Sequence, residues 1–327
     1  MTLAPRGSQQ ARANSGGVDD SRSPLGAPRD SRRRSRLDSE RSANFWLIVP
    51  ALVLTLLFIV YPIVETVRLS FVQWGGLGPS TFVGWDNFVA LLADDDFLTA
   101  IRNNLLFAVI VTIGTVGLGT VFALAIDQKV RLWRLYRFVF FLPYILPMTV
   151  IAIMWSNALD PNYGWAQAIL NWINPALSNG VLANPHTAIF VVCAVAIWQF
   201  AGFPMVLGLG GLRAIPAEIV EAARLDGANP FQIAFQISLP LCKDVIATAT
   251  LLQLIFSFKV FDIVQALTGG GPGSSTQVFG TLIYRDAFVE GNFGYASAIA
   301  LVTSIAIIVI SLVYLAVLKP GRMERNG

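Results

Sequence analysis

A chain of 327 residues that is 55% hydrophobic and only 13% charged has too little charge to cover a water-exposed surface, since soluble domains carry about 25% charged residues. The net charge of +3 does not point to nucleic acid, because nine of the 23 basic residues lie in the first 44 positions and so report topology rather than a polyanionic ligand. The only two cysteines, Cys193 and Cys242, sit at opposite ends of a hydrophobic span and loop, which argues against a disulfide, and neither has metal-ligand spacing around it.

Residues 1–44 are rich in Arg, Ser, Gly, Pro and Asp, contain Arg32-Arg33-Arg34-Ser35-Arg36 and show no apolar periodicity. They read as a disordered basic tail. The apolar run that follows is longer than a signal-peptide core and lacks a small-residue cleavage site, so the tail is expected to stay attached and cytoplasmic. Six apolar segments come next, at about 45–73, 103–126, 137–158, 187–209, 243–266 and 294–318. Each has roughly the 20 residues needed to cross a hydrocarbon layer of about 30 Å. Pro143 and Pro147 interrupt the third and Pro204 the fourth, which predicts kinked helices lining something rather than straight packing rods.

The basic residues set orientation. The tail, the loop with Lys129, Arg131, Arg134 and Arg137, the loop with Arg213 and Arg224, and the end 319–327 with Lys319, Arg322 and Arg325 alternate with segments 75–101 and 159–185, which have no Lys or Arg. Both termini are therefore expected on the cytoplasmic side. Segment 267–292 has only Arg285, and the outer loops carry Asp94, Asp95, Asp96, Asp160, Asp286 and Glu290.

Segment 210–242, between the fourth and fifth spans, is neither a minimal turn nor a polar linker. Pro216 suits the first turn of a short helix and Gly227 its end, where a left-handed residue is needed. Asn229 is then an N-cap, with Pro230 at the first helical position and Gln232 placed to close a capping box, so a second short helix runs toward Leu239-Pro240. Ala222 and Ala223 allow close approach of another surface, with Glu221 and Arg224 at the rim. On these residues alone, a surface hairpin without a partner is an equal reading.

The order Glu221-Ala222-Ala223, Gly227, Ile237, Leu239-Pro240 resembles the EAA motif of permease subunits of binding-protein-dependent ABC importers. The chain is similar in particular to maltose-type carbohydrate permeases over about residues 45–318, through Tyr61-Pro62, Phe82-Val83-Gly84 with Asn87, Leu142-Pro143-Tyr144, Leu267-Thr268-Gly269-Gly270-Gly271-Pro272 and Tyr284-Arg285-Asp286-Ala287-Phe288. It departs from the enterobacterial maltose subunit in lacking the large periplasmic insertion.

The resemblance implies an all-α membrane protein of six transmembrane helices, the ABC type I importer permease fold, in the bacterial cytoplasmic membrane. The motif would form a coupling helix-turn-helix, with Glu221, Ala222, Ala223, Arg224, Asp226, Gly227, Ile237, Leu239 and Pro240 meeting an ATP-binding subunit. Implied partners are a second homologous permease subunit, two copies of the ATP-binding subunit and an extracytoplasmic solute-binding protein. ATP and Mg would reside on the partner, with no cofactor and no catalytic residue on this chain. The implied cargo is a sugar or sugar-like solute, such as a disaccharide or glycerol phosphate.

Gln253 and Ser257 lie four apart on one face of the fifth span, with Phe256 and Phe261 near enough to stack on a sugar ring. Positions matching Tyr144, Met148, Gly202, Met205, Gln253, Ser257 and Val260 face substrate in the maltose-type permeases. With Phe256 and Lys259 they form the expected substrate pathway, although Met148 and Val260 are apolar where a polar contact is expected. Lys259 and Asp262, three apart, are expected to pair, snorkel or face a wet cavity, since a central charge costs about 2.5–3.5 kcal/mol in a bilayer. The glycine run 269–273 before Ser274-Ser275 lacks the lysine of a phosphate loop, and there is no Walker A sequence. A single histidine, His186, cannot build a metal site or a relay alone. An ion-coupled secondary transporter, the alternative, would carry ionisable relays in several spans and an inverted repeat. A membrane enzyme would need clustered His, Asp or Glu. Neither pattern is evident.

Overall fold

The computed structural model describes residues 48–127 and 131–318, without the side chain of Leu318. The expected tails 1–44 and 319–327, and Lys129, lie outside the described residues. The chain divides into two compact units, residues 1–60 and 61–327. In the first, α1 (48–60) has neither a charge nor a buried side chain.

The second unit is built almost wholly of helices. α2 (Tyr61–Leu69) leads into an antiparallel hairpin of β1 (Val72–Gln73) and β2 (Thr81–Phe82), with Val72 opposite Phe82. The first span therefore ends short of residue 73. Asn87, on α3 (Asp86–Leu92), closes the hairpin: its Nδ2 donates to the carbonyls of Ser70 at 2.9 Å and Val72 at 3.0 Å.

α4 (Asp95–Asp127) is the longest element. After it come α5 (Trp133–Ile145), α6 (Met148–Ala158), the short helix α7 (Trp165–Ile173), α8 (Ala188–Phe200) and α9 (Gly202–Arg213). The hairpin helices α10 (Ala217–Leu225) and α11 (Pro230–Leu241) precede α12 (Lys243–Phe258), α13 (Asp262–Leu267), α14 (Phe279–Tyr284) and α15 (Phe293–Leu318). α4 is the hub and packs against α8, α9 and α12. Its buried Phe107 and Val111 share a core with Ile151 of α6, Val192 of α8 and Ile263 of α13.

Proline chemistry places the breaks. A proline ring disfavours helical backbone at the residue before it. Leu146, before Pro147, is extended at φ −70°, ψ 141°, and α5 and α6 meet at a bend of 97°. Pro143 stays inside α5. Pro204, expected to kink the fourth span, instead lies in the first turn of α9, where its missing N–H is tolerated. Ala188–Arg213 runs on as one 26-residue candidate span.

Four stretches among the described residues, Ile48–Leu69, Asp95–Asp127, Ala188–Arg213 and Phe293–Val317, have the helix length and apolar composition to cross a membrane. Two bent pairs, α5 with α6 and α11 with α12, bring the number to six. The fifth span differs from expectation, since α12 stops at Phe258 and the helix resumes only at Asp262.

Candidate functional site

The α5–α6 bend, the α8–α9 junction and the end of α12 converge on a cavity of about 220 Å³. Tyr144 and Met148 reach it from either side of the bend, and Phe200 and Phe203 from either side of the junction. Gln253, Phe256, Ser257 and Val260 reach it from α12 and the residues just beyond, as helical spacing requires of one face. Tyr144 stacks on Phe203 with centroids 5.6 Å apart, and Phe256 meets Phe203 edge-on at 6.1 Å. Within this aromatic frame Gln253 is 2% exposed and Ser257 1%. The Ser257 hydroxyl is buried without a hydrogen-bond partner, so its donor and acceptor are unused beside the cavity.

Lys259 and Asp262 also reach the cavity, and among the described residues no ion pair joins them. Of the three expected arrangements, pairing is not seen among the described residues, and both side chains stand at the cavity.

Gly202 and Met205 lie outside the cavity wall. A Cβ at Gly202 would stand 2.9 Å from the Phe140 carbonyl and 3.0 Å from Phe141 Cα, so the glycine lets α9 begin hard against α5. Met205 is wholly buried among Ala123, Leu124 and Leu209. Both face neighbouring helices because the α8–α9 junction turns Phe203 rather than its neighbours toward the opening. Sequence reasoning missed Phe107, Phe200 and Phe203. The signal for the last two was an aromatic pair bracketing Ala201-Gly202, the second of them followed by Pro204.

At the other pole, α10 and α11 form the hairpin read from the sequence. Pro216 stands at the N-cap of α10 rather than inside its first turn. Gly227 has φ +85°, with Ala228 N–H donating to Ala223 O at 3.0 Å and Gly227 N–H to Arg224 O at 3.1 Å. That bonding is a Schellman motif, whose C′ residue must be left-handed. Asn229 and Gln232 form a reciprocal capping box, with bonds of 2.9 Å and 2.8 Å. Glu221, Ala222, Arg224, Asp226 and Gly227 are exposed and Ala223 half-buried, while Leu225 stands 89% exposed. Ile237 and Leu239 are half-buried and Pro240 exposed. Ala234 and Cys242 anchor the hairpin into a core with Leu209 and Leu212 of α9, and a small cleft bounded by Asp127 and Arg224 separates α10 from the end of α4.

A third polar cluster escaped the sequence reading. Arg285, first residue of the π-helical stretch Arg285–Val289 that continues α14, forms an ion pair with Asp96 of α4 and lies 3.3 Å from both Asp286 and Glu290. The Tyr295 hydroxyl donates to Asp94. Asp286 is 2% exposed and its Oδ2 has no partner. Burial pushes its carboxyl up to about 6, against the opposing pull of Arg285. The signal was the lone Arg285 beside Asp286 and Glu290 in segment 267–292.

Residues 115–320 match the profile of the binding-protein-dependent transport system inner membrane component, and the chain belongs to that family. It is the permease subunit of an ABC importer and a multi-pass protein of the cell membrane. Over 284 residues it is 39% identical to the "Probable ABC transporter permease protein YurN" of Bacillus subtilis, covering 86% of this chain and 97% of that one. Over 278 residues it is 33% identical to the "Multiple sugar-binding transport system permease protein MsmF" of Streptococcus mutans, covering 84% and 94%. Among solved structures, a bacterial ABC transporter involved in the import of alginate superposes with a TM-score of 0.76 at 22% identity, covering 88% of this chain and 99% of that one. That likeness speaks to the fold alone.

Proposed function

We propose that this chain forms half of the pore through which a sugar or sugar-like solute enters the cell by alternating access. The observation that carries the reading is the cavity wall. Gln253 and the unpartnered Ser257 hydroxyl are set among aromatic rings, the combination that recognises a polyol by hydrogen bonds and its ring face by stacking. A relative whose name assigns it to multiple-sugar transport supports the cargo class. Tyr144, Met148, Gln253, Phe256, Ser257, Lys259 and Val260 would touch the solute, and Gly202 and Met205 would act on the pathway by packing.

In this reading the other half of the pore is a second, homologous permease subunit. Two copies of an ATP-binding subunit supply ATP hydrolysis and hold ATP and Mg, and an extracytoplasmic binding protein delivers the solute. The chain itself contributes no catalytic residue and no cofactor. Both termini and α10–α11 face the cytoplasm, supported by the basic residues around them. The exposed face of Glu221, Ala222, Arg224 and Leu225 suits a cleft on the ATP-binding subunit. Closure of that subunit would move the hairpin and, through its core contacts with α9, the helices around the cavity.

The test is reconstitution of the complex in liposomes with its binding protein. Maltose, trehalose and glycerol 3-phosphate are assayed for stimulation of ATP hydrolysis and for uptake. Stimulation by at least one of them is expected. ATP hydrolysis that no sugar or polyol phosphate stimulates would remove the cargo class.

A further inference from the structure

The helix stop at Phe258 is a built feature rather than a frayed end. Phe261 has φ −143°, ψ −62°, and α13 restarts with Gln265 N–H donating to Phe261 O at 2.8 Å. Gly280 of α14 packs directly on the break: a Cβ there would stand 2.7 Å from the Val260 carbonyl and 2.8 Å from Phe261 Cβ. On an unbroken helix, Lys259 and Asp262 would be neighbours at i and i+3 and would pair. The break separates them, and each is exposed on the cavity wall. Among the described residues neither side chain has an ion-pair or hydrogen-bond partner.

These are the only two charges on the described wall of the cavity, so its formal charge is +1 − 1 = 0. We propose that Lys259 and Asp262 act together as a specificity determinant that admits an uncharged polyhydroxyl solute and discriminates against sugars bearing a phosphate or carboxylate. The inference rests on the sugar-import reading of the same cavity. A carboxylate accepts hydrogen bonds from neighbouring hydroxyls, and an ammonium donates to a hydroxyl or ring oxygen, so a neutral polyol satisfies both. An anionic sugar meets attraction from Lys259 and repulsion from Asp262. It gains no net Coulomb energy to offset loss of its own hydration in a pocket framed by aromatic rings. The Ser257 hydroxyl, buried without a partner one turn away, supplies a third contact that is neutral as well.

The experiment uses the purified membrane complex without its binding protein, so that only the pore selects. Thermal stabilisation is titrated with maltose and trehalose and with the 6-phosphate of each. The neutral sugar that binds is expected to half-saturate at a concentration about tenfold below its phosphate, the scale of one screened unit-charge interaction. Asp262→Asn, which leaves the wall at +1, should erase or reverse that ratio. Lys259→Gln should widen it, and Asp262→Glu should preserve it. The melting temperature without sugar, read in the same scans, reports folding, and Asp262→Glu against Lys259→Gln still decides the matter if Asp262→Asn does not assemble. Ratios equal within about twofold across all variants, with sugar still bound, would overturn the pair while leaving the sugar reading standing. Absence of stabilisation by all four compounds would remove the sugar reading and this inference with it.

Discussion

Arg285 and Asp96, 189 positions apart in the chain, meet as an ion pair that fastens the π-helical extension of α14 to the first turn of α4. The two side chains are 32% and 33% exposed, whereas Asp286, 3.3 Å from the same guanidinium, is almost wholly buried. The three carboxylates around Arg285 are therefore unequal. An exposed pair contributes little, but a buried carboxylate stripped of its cation is costly. Arg285→Gln should destabilise the complex by about 2–3 kcal/mol, and Asp96→Asn by less than about 1 kcal/mol. Thermal unfolding of the two variants measures the difference, and equal losses would refute the hierarchy.

The same cluster predicts a pH dependence. The Asp286 carboxyl is raised by burial to about 6 from an ordinary value of 3.8. Between those values the folded chain keeps a proton that the unfolded chain has released. This contribution is fully present below pH 3.8 and is lost as pH rises through about 6. Asp286→Asn, neutral throughout, should flatten the decline of melting temperature between about pH 4 and pH 6, the window set by those two values. Parallel slopes in the two proteins would show that Asp286 does not titrate there.

The break at Pro147 and the hairpin were legible in the sequence because they follow local rules: the residue before a proline, a left-handed glycine and a capping box act within a few positions. Gln253 and Ser257 were legible because helical spacing puts them on one face. The stop at Phe258 was not, because the residue packed against the break, Gly280, lies on another helix. Phe107 was hidden for a similar reason, since α4 is apolar nearly all round and its sequence does not say which side meets the bend. The Arg285 cluster depends on contacts between segments nearly two hundred positions apart, beyond the reach of any periodicity.

Orientation is tested by thiol labelling. Glu221→Cys should be protected in intact cells and Ser274→Cys labelled by an impermeant reagent, with low background because both native cysteines are buried. Labelling at 221 but not at 274 would invert the topology.

Gln253 is 2% exposed and lines the cavity. Gln253→Leu should forfeit a hydrogen bond of about 0.5–1.5 kcal/mol and raise the half-saturating sugar concentration for uptake roughly 2- to 10-fold. Ser257→Ala should act more weakly, by removing a hydroxyl without adding bulk. Assembly with the ATP-binding subunit, followed by co-purification, should be intact in both. Unchanged uptake kinetics in both variants would place the solute elsewhere.

Coupling rests on a backbone conformation. Gly227 holds φ +85° at the centre of the Schellman motif, and a Cβ there would meet nothing within 4 Å. Substitution therefore strains the turn without a clash. A β-branched side chain is poorly tolerated at positive φ, at a cost of at least about 1–2 kcal/mol, whereas asparagine adopts that region readily. Gly227→Val should shift α10 relative to α11 and lower sugar-stimulated ATP hydrolysis and uptake together. Gly227→Asn should retain most of both. Ala223→Phe tests the same surface differently, because it leaves the turn intact and adds bulk to a half-buried position beside exposed Ala222 and Arg224. It should uncouple hydrolysis from uptake by blocking close approach to the ATP-binding subunit. All three variants are to be compared in liposomes after confirming equal membrane insertion. Full stimulated hydrolysis and full uptake in both Gly227→Val and Ala223→Phe would mean that α10–α11 does not transmit the motion.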